Sequence, residues 1–457
     1  MSPQPLESRP MSFPAPPRES LPHPPRTPRP AAMELADSPR LAALEAGAES
    51  TEAFWESVRA TGTPLVEPDP QGSPDHVLVT FLWRGDDRVR AALALPNKLA
   101  DPRDPAANLM RRVPGTDVWH WTLRMRGDWQ ATYSICVDDG DDPHAPRPGE
   151  RTYWQWLRSR PRVDPFNPRT LPRRWGGVPQ SVLELPGAPT AEHLWRRRPG
   201  VARGTVTEHR LRSELLGNER RVWLYEPAPP QAPGPARATG AHADRDAGHD
   251  AGLPVVVLFD AEMWQPELDV AALLDNLIAD GALPPVAAVM PESLGSERRY
   301  RELAPSETFV EFLRTELLPW AGKRVPLTDD PARTVVAGQS LGGLAALYAA
   351  VSAPERFGNA LSCSGSFWWP NHAETDGEWI TAAIREHGVP DGVRIRLASG
   401  AQEWVLLPAT DHLCEALAER GAAFSHRRFN GGHDYLCWRT ELADGLTELL
   451  GRPAPRG

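Results

Sequence analysis

Ser340 lies in Gly338-Gln339-Ser340-Leu341-Gly342-Gly343, the stretch of this sequence with the strongest chemical signal. A serine hydroxyl is a weak nucleophile at neutral pH and needs a base to take its proton. His433, in Asn430-Gly431-Gly432-His433-Asp434, is the candidate base, on a loop whose glycines permit unusual backbone angles. Such a base needs an acid to fix its tautomer and to stabilise the imidazolium. Glu403 fits, between serine and histidine in chain order and just past an apolar run at 393–398. Asp411 and Glu415 fall within a predicted helix, and Asp434 is adjacent to His433, so its side chain is expected to point away from the ring. The chemistry these residue types support is acyl transfer. Its oxyanion needs backbone N–H donors, each worth about 100- to 1,000-fold in rate. Leu341, after the serine, supplies one; the other is expected at Ala261, in Asp260-Ala261-Glu262-Met263-Trp264.

An apolar run at 334–337 precedes Ser340 and an Ala/Leu-rich stretch at 341–352 follows it, so the serine sits at a sharp strand-to-helix turn. That context makes the G-x-S-x-G pattern a nucleophile elbow. Around it, apolar runs at 254–259, 286–290, 393–398 and 425–429 alternate with helical patterns at 269–280, 308–320 and 410–420, after a strand pair at 206–213 and 220–225. Alternating βα units predict a mostly parallel sheet covered by helices on both faces. The fold class is therefore α/β, a C-terminal α/β-hydrolase. Upstream, a helical segment at 42–59 leads into strand-like runs at 76–83, 88–94, 118–125 and 130–137 with turn clusters between them, which reads as an N-terminal β-sandwich. Its tryptophans Trp83, Trp119, Trp121 and Trp129 are expected mainly in its core. The stretch from 164 to about 200 reads as an extended connection. The domain reading is a disordered tail at 1–40, the sandwich at 41–195, and the catalytic domain at 196–452 with a low-complexity insertion at 227–253.

The chain has 457 residues, 40% of them hydrophobic, and a net charge of -10. That balance disfavours nucleic acid as a partner. The apolar runs are too short to cross a bilayer, and the N-terminus has no apolar signal-like core, so no membrane insertion and a cytoplasmic location are expected. The four cysteines lack metal-type spacing and are expected to be reduced and buried. The 51 prolines concentrate in the tail and the insertion, whose composition supports no packed core. His242 and His249 in the insertion are read as linker residues rather than metal ligands.

The sequence resembles the enterochelin (enterobactin) esterases over most of its length. The resemblance rests on Thr334-Val335-Val336-Ala337-Gly338-Gln339-Ser340, Ser364-Gly365-Ser366-Phe367-Trp368-Trp369-Pro370 and Gly431-Gly432-His433-Asp434 with Cys437-Trp438-Arg439. In the N-terminal half it rests on Gly115-Thr116-Asp117-Val118-Trp119-His120-Trp121 and Asp164-Pro165-Phe166-Asn167-Pro168. It implies a cytoplasmic serine esterase that opens the tri-serine lactone of imported ferric catecholate siderophores, with no metal or cofactor of its own, the iron arriving with the substrate. It points to Arg299 as a substrate contact, since guanidinium pairs with catecholate oxygens and stacks on rings. Trp264, Trp368 and Trp369 are candidate aromatic walls. One departure stands out: the family commonly has Asp-Gly where this chain has Asp260-Ala261, and alanine restricts the turn. Two other readings compete. One is a carboxylesterase of small acyl or feruloyl esters. The other is a non-catalytic siderophore- or glycan-binding protein, which an intact Ser340, His433 and Glu403 oppose.

Overall fold

The computed structural model describes residues 13–17, 33–99, 104–229, 252–370 and 377–451. Most of the predicted tail and of the insertion, including His242 and His249, lies outside the described residues. The C-terminal half is built on an eight-stranded sheet. Across it the order is Thr205–Ser213, Asn218–Glu226, Ala287–Pro291, Val255–Leu258, Thr334–Gln339, Asn359–Cys363, Arg394–Gly400 and Ala423–Phe429. The first two strands form an antiparallel hairpin, the second also pairs antiparallel with Ala287–Pro291, and the remaining pairs are parallel. Val255–Leu258 is buried at every residue, as a β-branched run must be when both faces are covered. The helix Leu341–Ser352 behind the elbow is buried at every position but Ser352, which suits its Ala- and Leu-rich composition.

The sequence missed the strand Asn359–Cys363, because Asn, Ser and Cys interrupt its apolar character. Asn359 earns its place by side-chain chemistry: its amide donates to the carbonyls of Thr334 and Ala332 at 2.9 and 3.0 Å. The helix Tyr435–Leu450 was also not anticipated. It starts at Asp434, whose carboxylate accepts from the Leu436 N–H at 2.9 Å, an acidic N-cap.

The N-terminal half is a sandwich of two five-stranded sheets. Val118–Arg126 and His76–Arg84 centre one; Gln130–Asp138 and Gln180–Glu184 centre the other, with Ala91–Pro96 at its end. Phe81, Trp121, Leu123, Trp129, Tyr133 and Ile135 fill the space between, and Trp83 and Trp119 pack against that core from its edge. Two expectations need correction. The predicted connection at 164–200 contains Thr170–Leu171 and Gln180–Glu184, both paired into the second sheet. Residues 33–40, assigned to the tail, contribute the strand Glu34–Leu35, paired with Val118–Arg126, and the start of the helix Pro39–Glu45. Gln130–Asp138 is buried along its whole length because its outer face is covered too, partly by the catalytic half. The four cysteines form no disulfide.

Candidate active site

Ser340 stands at φ 59°, ψ -123° between the central strand and its helix. A non-glycine residue held there is strained by about 1–3 kcal/mol and persists only when its surroundings enforce it. The flanking glycines allow the enforcement: a Cβ on Gly338 would lie 2.5 Å from the Gly342 carbonyl oxygen, and one on Gly343 would lie 2.4 Å from Ser362 Oγ. The Ser340 N–H donates to the Cys363 carbonyl at 3.0 Å.

Glu403 is fully buried just past Arg394–Gly400, and His433 follows Ala423–Phe429. His433 Nδ1 lies 2.5 Å from Glu403 Oε1, and Glu403 Oε2 accepts from the Gly400 N–H at 2.6 Å. The carboxylate is thus held from behind while it orients the imidazole. With Nδ1–H donating to the Glu403 carboxylate, Nε2 carries the lone pair. Trp438 packs edge-to-face on the ring at 4.8 Å and donates its indole N–H to Ser364 Oγ at 2.9 Å. Burial moves the His433 pKa below its ordinary 6.5, although Glu403 opposes the shift. Among the described residues, the Ser340 hydroxyl has Ser366 Oγ as its hydrogen-bond neighbour, at 3.5 Å. The contact from Ser340 to His433 is open in this structure; such contacts often tighten only around substrate. The other carboxylates are engaged elsewhere. Asp411 pairs with Arg428, Glu415 with Arg385, and Asp434 with Thr132 and its own helix.

Ala261 comes level with Ser340 through sheet register. Leu258 pairs with Ala337, and the Phe259 N–H donates to the Ala337 carbonyl at 3.1 Å; both chains then run three residues beyond this pair, one to Ala261 and the other to Ser340. Neither the Ala261 nor the Leu341 N–H donates to a described residue, which leaves two amides at one strand edge. The alanine poses no steric problem, because the left-handed conformation falls on Asp260, at φ 61°.

The expected substrate contacts are placed differently. Arg299 is buried, with Nε and Nη2 donating to the Asp260 carboxylate at 2.6 and 2.8 Å and Nη2 also to the Gln339 carbonyl at 3.1 Å. In this structure it braces the turn and the elbow rather than facing a ligand. Trp264 and Trp369 are 1% and 0% exposed, and Trp368 is buried with them in the hydrophobic cores. They are not open walls: Trp264 stacks on Trp195, and Trp369 packs against Trp379. Large aromatics near a sheet edge contribute most by burial, and that outweighed the expected role.

The structure brings in residues that sequence reasoning overlooked, all from the sandwich. Arg174 reaches Asp260 at 3.2 Å and donates to the Tyr435 hydroxyl at 2.7 Å. Burial opposes ionisation of Asp260, yet Arg174 and Arg299 together hold its carboxyl below the ordinary value. Asn97 contacts the main chain of His433. Lys98 is half-buried at φ 64°, has no ion-pair partner among the described residues, and lies within electrostatic reach of Glu403 and His433. Trp175, beside Arg174, is 51% exposed. Among the described residues no group of three or more His, Cys, Asp or Glu is arranged to hold a metal ion, and no helix is long and apolar enough to cross a membrane.

Comparison with known proteins bears on this arrangement directly. Residues 78–208 match the family model described as enterochelin esterase, N-terminal, and residues 247–449 match the one described as putative esterase. An iron(III) enterobactin esterase of Dickeya dadantii is 34% identical over 435 residues, covering 87% of this chain and 93% of the relative. The chain belongs to the enterochelin esterase family. This enterochelin esterase is a carboxylic ester hydrolase, with the α/β-hydrolase and sandwich halves of its relatives. An iron(III) salmochelin esterase of Escherichia coli is 31% identical over 411 residues, covering 87% of this chain and 93% of that one. The crystal structure of an enterobactin esterase from Shigella flexneri in the presence of enterobactin matches with a TM-score of 0.70 at 31% identity, covering 87% of this chain and 97% of that one.

Proposed function

We propose that this enterochelin esterase hydrolyses the serine-lactone esters of ferric enterobactin-like catecholates, through a seryl ester on Ser340. The observation that carries the reading is the joint one. Relatives named for iron(III) enterobactin match across both halves of the chain, and Ser340, His433 and Glu403 occupy the elbow, base and acid positions of one sheet edge.

The proposed steps are these. Ser340 Oγ attacks a lactone carbonyl carbon while His433 Nε2 takes its proton. The oxyanion that forms is stabilised by the Leu341 and Ala261 N–H groups. The C=O re-forms, the bond from the acyl carbon to the ester oxygen breaks, and His433 returns the proton to that oxygen, which leaves as the siderophore serine hydroxyl. Water then attacks the seryl ester, giving a proton to His433, and Ser340 is released protonated. Opening the macrocycle removes the preorganisation that makes the chelate tight, which favours release of iron. Protein groups complete this chemistry without a cofactor, and iron enters as part of the substrate. The same reading has the protein act in the cytoplasm on imported complexes.

A ferric tris-catecholate is anionic, and a chain of net charge -10 needs local cations to bind it. Lys98 is the candidate, since it forms no ion pair among the described residues; burial lowers its pKa, while the Glu403 carboxylate favours its charged form. Trp175 offers an exposed ring beside Arg174.

Mass spectrometry of the products tests the reading. Ferric enterobactin is expected to gain one water per ester cut and to yield linear catechol-serine oligomers. Failure to cut it, with brisk turnover of a simple aryl ester, would move the protein to the small-ester carboxylesterases. The pH profile gives a second check. His433 acts as a base only when neutral, and its folded pKa lies below 6.5. The acid limb of kcat/KM is therefore expected below that value, with activity level through neutrality. A limb centred above about 7, beyond the unperturbed histidine value, would contradict the buried His433–Glu403 arrangement.

A further inference from the structure

The loop that carries His433 does not hold itself in place. Gly431 and Gly432 precede the histidine, and glycine leaves the backbone its widest freedom. A catalytic base must nonetheless be placed within a fraction of an ångström. Glu403 fixes the ring, but its grip on the imidazole leaves the backbone of the loop unaddressed.

The loop backbone is held from the other half of the chain. The Asn97 side chain accepts from the His433 N–H at 2.8 Å and donates to the His433 carbonyl at 3.1 Å, so one amide engages both main-chain groups of the base. Its approach requires Gly432, where a Cβ would lie 2.6 Å from Asn97 Oδ1. Asn97 is itself tied to the sandwich, its N–H donating to the Thr132 carbonyl at 2.9 Å. On either side of this contact the strand Gln130–Asp138 extends the attachment. The Gln130 N–H donates to the Asn430 carbonyl at 3.2 Å, and Gln130 bridges Gly431. Thr132 donates to the Asp434 carboxylate through its N–H at 2.9 Å and its hydroxyl at 3.1 Å. The base loop is thus bound along residues 430–434 to the start of the strand Gln130–Asp138 and to Asn97 beside it. Arg174 does the equivalent for the oxyanion loop by gripping Asp260.

We propose that the N-terminal sandwich is a working part of the catalytic centre, with Asn97 as the positioning residue for His433. This rests on the reading of Ser340, His433 and Glu403 as the triad. It assigns the sandwich a task separate from substrate recognition, since the aligned groups act on whatever ester is bound. Loss of the Asn97 contact lowers kcat for every ester alike and leaves KM in place.

The test uses the full-length protein with Asn97→Ala, the near-isosteric Thr132→Val, and Ser340→Ala, each assayed on 4-nitrophenyl acetate and on ferric enterobactin. The end-point stoichiometry of labelling by a fluorophosphonate reports the fraction folded with a competent serine. Asn97→Ala is expected to lower kcat by about 100-fold on both substrates, the scale of an ångström-level misplacement, with KM within about twofold and labelling stoichiometry kept while its rate falls. Thr132→Val is expected to show the same pattern more weakly, since it removes one of the two hydrogen bonds to Asp434. A wild-type kcat in Asn97→Ala overturns the proposal, as does a loss confined to ferric enterobactin, which would make Asn97 a substrate contact. A loss matched by reduced labelling stoichiometry overturns it too, since the residue would then serve folding. If Ser340→Ala keeps activity, it is the triad reading that fails; if Ser340→Ala is inert and Asn97→Ala is normal, the positioning role alone fails.

Discussion

Ser340→Ala leaves ester hydrolysis at background, with kcat lower by about a millionfold, the scale seen when a triad serine is removed. The substitution deletes one oxygen and little else. Alanine keeps the Cβ, so it meets the same steric demand at φ 59°, and the Ser340 N–H bond to the Cys363 carbonyl remains. The elbow is enforced by the close passage of Gly338 and Gly343 rather than by the hydroxyl. A cooperative thermal transition like that of the wild type should accompany the lost turnover. Hydrolysis of ferric enterobactin well above background in a correctly folded Ser340→Ala protein would remove the seryl-ester route.

Glu403→Gln is expected to lower kcat by about 10,000-fold, as seen when a triad carboxylate becomes an amide. The argument is one of hydrogen-bond parity. Glu403 accepts two bonds, from the Gly400 N–H at 2.6 Å and from His433 Nδ1 at 2.5 Å. An amide offers one oxygen and one NH2. The Gly400 N–H can only donate, so it claims the oxygen, and the NH2 faces the ring. His433 then accepts at Nδ1 and carries its proton on Nε2, where it has no lone pair for the serine proton. KM should change little, because Glu403 is fully buried behind the histidine. Wild-type turnover in this variant would release Glu403 from its role and make the centre a dyad.

Ser340, His433 and Glu403 can be proposed from the sequence because each follows a strand in chain order along one sheet: the proposed nucleophile at a turn after a strand, the proposed acid after a later strand, the proposed base after the last. Local sequence encodes that much. The contact between Asn97 and His433 spans 336 positions and depends on how the two halves of the chain pack together. An asparagine in a strand-end turn gives no local sign of it. Arg299 was read as a ligand contact because an arginine near the strand edge is chemically suited to catecholates. Asp260, 39 positions earlier, takes that guanidinium instead, since a fully buried carboxylate demands cations. The tryptophans misled for a related reason: their type says aromatic surface, while burial decides whether the surface is open. Asn359–Cys363 escaped notice because its polar side chains satisfy neighbouring carbonyls, a purpose that an apolar-run criterion cannot register.

Asp260 carries one further consequence, for how this sequence can drift. Its left-handed backbone, at φ 61°, is stabilised by two guanidiniums, from Arg174 and Arg299, rather than by the conformational freedom of a glycine. Ala261 itself has no left-handed backbone, so a side chain is compatible there. The demand at this turn falls on a charged trio drawn from both halves of the chain. Those three positions are expected to be inherited together, so that a change at one is tolerated only alongside compensation at the others.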